Sequence, residues 1–193
     1  MKRLLFVVAL LACVSASAQK KFAKFTKFKY TFALEKPTPS DSLKYADQIL
    51  SITFDPNTKG VDFKIKNLTS EILKVKWDDA TLIVNGETKK TIHKGVKLID
   101  RSLSQPMGII PPGAILDDFV WPSENVRLSQ GLYGGDWKVD DMLYSNNRGL
   151  TAEHEKALAL KGKKIGLYLP VIKSDKQNDY FFEFTILDVI ETK

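Results

Sequence analysis

"ATLIVNGETKKTI", residues 80–92, decides the fold. Two short strand-like runs, Ala80 to Val84 and Glu87 to Ile92, flank Asn85-Gly86. Asn-Gly tolerates positive φ at both central positions of a type I′ turn, so the stretch predicts a two-residue β-hairpin. The same grammar recurs on both sides. Ile49 to Phe54, the turn Asp55 to Gly60, and the alternating Val61, Phe63 and Ile65 predict a second hairpin. Met107 to Ile110, Pro111-Pro112-Gly113 and Ile115 to Trp121 predict a third. Lys164 to Ile172 and Tyr180 to Ile190 predict a fourth around a polar turn, Lys173 to Asp179, with Phe182, Phe184 and Ile186 on one face. Ile72 to Trp77 also alternates. The connection Glu35 to Gln48 has room for one helical turn at Ser42 to Asp47. Only TAEHEKALALK, residues 151–161, reads as a helix, with Gly162 after its end. The fold class expected is mainly β: an antiparallel immunoglobulin-like β-sandwich with one short helix near residues 151–161.

The N-terminus reads as an address. In MKRLLFVVALLACVSASA, residues 1–18, a basic pair precedes an apolar run and a small-residue cleavage site, the layout of a secretory signal peptide. That run is shorter than the roughly 20 residues a membrane-spanning helix needs. Two outcomes stay open. Cleavage after Ala18 gives a periplasmic or secreted protein; Leu10-Leu11-Ala12-Cys13 also has the form of a bacterial lipobox, and lipidation of Cys13 would give a membrane-anchored lipoprotein.

Charge sits mostly in one segment. The whole chain carries +6, and loss of Lys2 and Arg3 leaves +4. Residues 19–36 hold six lysines against one glutamate, so everything after residue 36 sums to −1. The body therefore lacks the basic face of a nucleic-acid binder. In KKFAKFTKFKYTFALEK, residues 20–36, the spacing of two from Phe28 to Leu34 predicts the first strand. Residues 19–27 form its charged lead-in. Lys20, Lys21, Lys24 and Lys27, with Phe22 and Phe25, are the candidate contacts to an anionic membrane surface. The division expected is signal peptide 1–18, lead-in and first strand 19–36, and one domain over 37–193 with a long loop at 122–149.

VKWDDATLIVNGETKKTIHKGVKLIDRSLSQP (75–106), PPGAILDDFVWP (111–122) and GKKIGLYLPVI (162–172) together resemble uncharacterised exported proteins of Gram-negative bacteria, some of them lipoproteins. That resemblance implies an immunoglobulin-like sandwich in the cell envelope. It carries no site residues.

Chemical motifs are scarce. His93 and His154 stand outside HExxH or any close ligand spacing, and no GxSxG, P-loop or GxGxxG occurs. The carboxylate pairs Asp78-Asp79, Asp117-Asp118 and Asp140-Asp141 point to opposite faces wherever they lie on strands. No metal and no cofactor is expected. Asn67-Leu68-Thr69 has the form of a glycosylation acceptor. The segment PSENVRLSQGLYGGDWKVDDMLYSNNRG, residues 122–149, has little periodicity, as binding loops often do. Its Tyr133, Trp137 and Tyr144 offer flat faces, and Asp136 and Asn146 offer hydrogen bonds, to a sugar or peptide. The function expected is a non-enzymatic envelope protein that binds or assembles with a protein partner. A carbohydrate- or peptide-binding module using the 122–149 loop is the alternative, and a hydrolase is a third reading.

Overall fold

A computed structural model describes residues 26–131, 134–147 and 151–192. Residues 1–18, expected to be a signal peptide and including Cys13, lie outside these residues, as do Lys20, Lys21, Phe22, Lys24, Phe25 and Tyr133. The described elements are strands β1 (Thr26–Lys36), β2 (Lys44–Ala46), β3 (Leu50–Pro56), β4 (Val61–Asn67), β5 (Leu73–Val75), β6 (Thr81–Val84) and β7 (Glu87–His93). They continue with β8 (Gly108–Ile110), β9 (Ile115–Pro122), β10 (Val126–Gly131), β11 (Gly134–Val139), β12 (Asn146–Asn147), helix α1 (Thr151–Leu158), β13 (Lys164–Lys173) and β14 (Lys176–Thr192).

The architecture is mainly antiparallel β. One sheet runs in the order β12-β1-β14-β13-β6-β7-β9-β4-β3-β2, with β5 also paired to β13 and β8 to β5. Where the sequence predicts two separate sheets, this sheet curls until its ends nearly meet, giving a barrel-like form. Leu34 and Ser40 exchange backbone hydrogen bonds at 3.2 and 2.9 Å, and the Phe54 N–H donates to the Leu43 carbonyl at 2.9 Å. Residues 40–46 thereby bridge β1 to β3. The segment is not helical: Leu43 has φ +53°, outside the right-handed helical region, and β2 follows.

Two hairpins form as the sequence predicts. Val84 pairs with Glu87 across Asn85 and Gly86, whose φ values are +53° and +82°. Leu50–Pro56 pairs with Val61–Asn67 throughout. The C-terminal pair is tighter than expected: Ser174 and Asp175, at φ +48° and +61°, make the turn between Lys173 and Lys176. The third expected hairpin does not form. β8 pairs with β5 and β9 with β4, so Pro111-Pro112-Gly113 carries the chain across the barrel. Pro111 and Pro112 have no N–H to donate to a ladder, which disfavours a hairpin closed at this turn.

The core is aromatic where the barrel closes. Phe54 of β3 lies 4.6 Å from the Phe182 ring and 5.0 Å from the Phe184 ring of β14, and Tyr45 of β2 lies 5.5 Å from Phe182. Phe28, Phe32 and Leu34 face inward from β1, as the alternation predicts. On β14 the buried set switches from Phe182, Phe184 and Ile186 to Val189, because Thr31 pairs with Asp188 but Phe32 with Ile186. The extra residue, Leu187, is a β-bulge that resets the alternation and leaves Asp188 half-exposed. The helix ends at Leu158, three residues before the expected Lys161.

Gly60, just before β4, lies against β9. A Cβ there would collide with the Val120 carbonyl oxygen and lie 2.9 Å from Cδ1 of Trp121. Gly60→Ala is expected to destabilise the protein by about 2 kcal/mol or more in urea unfolding, an overpacking effect with backbone on one side.

Two tyrosines make the fold sensitive to alkali. The Tyr30 hydroxyl donates to the Tyr144 carbonyl at 2.6 Å, and burial first, then nearby Tyr144 and Asp141, push its pKa up to about 12. The Tyr180 hydroxyl donates to Asp47 at 2.8 Å, and burial followed by that bond raises its pKa further. A tyrosine with a raised pKa holds its proton more tightly when folded. Its stabilising effect is complete below the unfolded value near 10 and is lost as pH rises through the folded value. The melting temperature should fall from pH 9 to 12, and Tyr30→Phe should make that fall shallower.

Candidate functional site

The described residues expected to form a binding loop engage separate neighbours. The middle of 122–149 folds as a β10–β11 ribbon in which Val126 pairs with Val139 and Gly131 with Gly134. Its periodicity is weak because the ribbon is a separate two-stranded sheet with exposed Asp136 and a half-buried Trp137. The Trp137 ring faces the Arg101 guanidinium, 4.9 Å from its centroid, rather than open solvent. Tyr144 is 39% exposed and presents its carbonyl to Tyr30, while Asn146 pairs with Lys27 where β12 joins β1. Lys27 is exposed on β1.

A different group of residues does converge, at the barrel end beneath residues 93–107. Trp77, 1% exposed, stacks on the His93 ring at 4.2 Å with 13° between planes. His93 ends β7, where its pairing with Val120 turns it inward. His93 Nδ1 lies 3.3 Å from Oδ2 of Asp118, and Asp118 Oδ1 accepts backbone N–H bonds from Lys94 at 2.7 Å and Phe119 at 2.8 Å. A carboxylate facing an imidazole nitrogen requires the hydrogen on that nitrogen, so neutral His93 presents Nε2 as an acceptor. Asp117 and Asp118 do point oppositely: Asp118 is buried among these donors, whereas Asp117 meets Lys64 and Lys94 at the surface.

Residues 93–107 are tied down by Asp78 and Gln105. The Ser104 hydroxyl and the Gln105 backbone N–H both donate to Asp78, and together they hold its carboxyl below the ordinary carboxylate range, Ser104 contributing most. Gln105 Nε2 donates to the Thr91 carbonyl at 2.8 Å. Between this strap and the barrel lies a cavity of about 410 Å³ lined by His93, Val96, Lys97, Leu103, Gln105 and Pro106 among others. Two buried polar atoms of its lining residues, His93 Nε2, an acceptor in the neutral Nδ1–H ring, and Gln105 Oε1, have no hydrogen-bond partner. The Ser104 hydroxyl, although in the same wall, is committed to Asp78 and is not held by His93.

The strap runs directly into β8, and β8 has a strand on one side only among the described residues. Ile172, Lys74 and Ile109 stand in one cross-strand row through β13, β5 and β8. Ile109 is 54% exposed on the outward face, and Met107 and Ile72 beside it are 44% and 50% exposed. Ile99 and Leu103 on the strap are exposed as well. A free strand edge with apolar neighbours is an available template for another strand.

Sequence reasoning missed the roles of His93 and Gln105, and it expected the strand at Met107 to Ile110 but not its one-sided pairing with β5. One signal was present: Asp118 shares its face with Val120, and a carboxylate on an inward face demands buried donors. Among the described residues no group of His, Cys, Asp or Glu is arranged to hold a metal ion, and no helix is long and apolar enough to cross a membrane. The chain matches no protein-family model, no curated protein and no solved structure.

Proposed function

We propose that the protein is a non-enzymatic, exported module of the cell envelope that takes up an extended segment of a protein partner along β8. The observation that carries this is the one-sided pairing of β8, with Met107 and Ile109 exposed at its free edge. Backbone hydrogen bonds to that edge would provide affinity, and the apolar side chains around it selectivity. Strand addition at β8 works equally in an immunoglobulin-like sandwich or a barrel. Export rests on the basic, apolar and small-residue order of residues 1–18, and attachment on Cys13 or on the lysines of 19–27. Intact mass of the protein from its host distinguishes a chain beginning at Gln19 from one acylated at Cys13.

Strand addition is tested by placing a photo-crosslinking residue at Ile109 and, separately, at Leu187, an equally apolar position that is 48% exposed on β14. Crosslinks to one envelope protein from position 109 but not 187, abolished by Met107→Lys, are expected, because a lysine at an edge discourages pairing. Equal labelling from both positions, or labelling indifferent to Met107→Lys, would sink the proposal.

A further inference from the structure

We infer that the cavity beneath residues 93–107 is a side-chain pocket for an aromatic residue with a hydrogen-bond-donating tip, tyrosine or tryptophan, on the segment that β8 receives. The inference rests on the strand-addition proposal for how the residue arrives, and on the cavity alone for what it accepts. Gln105 is 5% exposed, yet its Oε1 has no partner, and His93 Nε2 is likewise unpaired. A buried acceptor is costly while its bond is unmade. Both residues line the same cavity. An occupant that reaches them must therefore bring an N–H or O–H.

The walls decide what carries that donor. Val96, Leu103 and Pro106 are apolar, and about 410 Å³ is room for one aromatic side chain. Lys97 is offset by Asp100 among the lining residues and Lys94 by Asp117 at 3.8 Å, so neither a full positive nor a full negative charge is favoured. Phenol and indole have the required form: an apolar body and one donating tip. Lysine would bring a charge past two lysines, and phenylalanine would leave both acceptors unpaired. The two acceptor atoms are shielded from solvent, so the cavity wall must shift for the tip to reach them. Pocket and edge are consecutive in the chain, since Pro106 lines the cavity and Gly108 begins β8. A strand added to β8 would thus pass the pocket mouth.

The test uses N-acetyl-L-tyrosinamide, N-acetyl-L-tryptophanamide and N-acetyl-L-phenylalaninamide in NMR titrations of the isotopically labelled protein. The tyrosine and tryptophan amides should shift the His93 ring and Gln105 side-chain signals, and the phenylalanine amide should bind at least about tenfold more weakly, because a site built for hydrogen bonds rejects an analogue lacking them. Gln105→Leu should remove most of that preference. Leu103→Asp, at a 61% exposed position that leaves the fold intact, should weaken all three probes together. Equal binding of the phenylalanine amide, a preference unchanged in Gln105→Leu, or no shift at His93 and Gln105 with any probe would overturn the inference, the last meaning that resident water satisfies the acceptors. Met107→Lys should leave probe binding intact while abolishing the Ile109 crosslink, so failure of the pocket and failure of strand addition read out separately.

Discussion

Asn67→Asp is expected to be the most damaging single substitution in the chain, costing about 3–5 kcal/mol or more in urea unfolding. Asn67 is fully buried where β4 ends. Its Nδ2 donates to the Glu71 carbonyl at 2.7 Å and the Ile110 carbonyl at 2.9 Å, while its Oδ1 accepts from the Thr69 N–H and hydroxyl at 2.8 and 2.9 Å. One side chain thus joins β4 to the turn before β5 and to β8. Aspartate would set a carboxylate oxygen against two carbonyl oxygens in a site closed to water. Asn67→Ala should cost less, about 1–3 kcal/mol, since it leaves the carbonyls unpaired without adding charge. With typical domains stable by about 5–15 kcal/mol, the aspartate variant should populate the unfolded state measurably. An aspartate variant no less stable than the alanine one would show that Asn67 is not the pin described. The same geometry answers the Asn67-Leu68-Thr69 acceptor form, because an amide with both hydrogens engaged in a buried site is not available for glycosylation.

Phe182→Ala should come next, at about 3–5 kcal/mol. Phe182 is 0% exposed and meets Tyr45, Phe54 and Tyr180, so its ring joins β2, β3 and β14 across the closure of the sheet. Deleting it leaves a cavity among rigid rings that cannot collapse easily. Its neighbour Phe181 faces outward at 40% exposure, with Lys36 5.8 Å over its ring. Phe181→Ala should change stability by about 0.5 kcal/mol or less, as surface substitutions do. Parallel urea titrations of the two variants check the register: comparable losses would mean that the inward face of β14 is misassigned.

The alternation of residues made most of the strands legible. Phe182, Phe184 and Ile186 are buried as their spacing indicates, and Asn85-Gly86 makes the turn its φ tolerance suits. Strand partners across the barrel were not legible, because pairing is a tertiary property. Ile110 and Val120 both point inward, yet neither reveals that β8 joins β5 and β9 joins β4. The short strand β2 was hidden in a Pro- and Ser-containing connection, and the bulge at Leu187 in an unbroken apolar run. The candidate site was the least legible part. It assembles Trp77, His93, Gln105 and Asp118 from four separate segments, and only Asp118 carried a local sign, its place on an inward face. The aromatic residues of 122–149 stood out by composition, but Trp137 is engaged with Arg101, and Tyr144 lies outside the ribbon that carries Asp136.

Amide hydrogen exchange tests most directly whether a partner segment adds to β8. The segment crosslinked from position 109 would be synthesised, and exchange measured on the protein with and without it. Addition to β8 predicts slowing of about tenfold or more over residues 107–110, with the β10–β11 ribbon unchanged. Protection confined to residues 126–139, with β8 exchanging as before, would contradict strand addition and return the binding site to the ribbon.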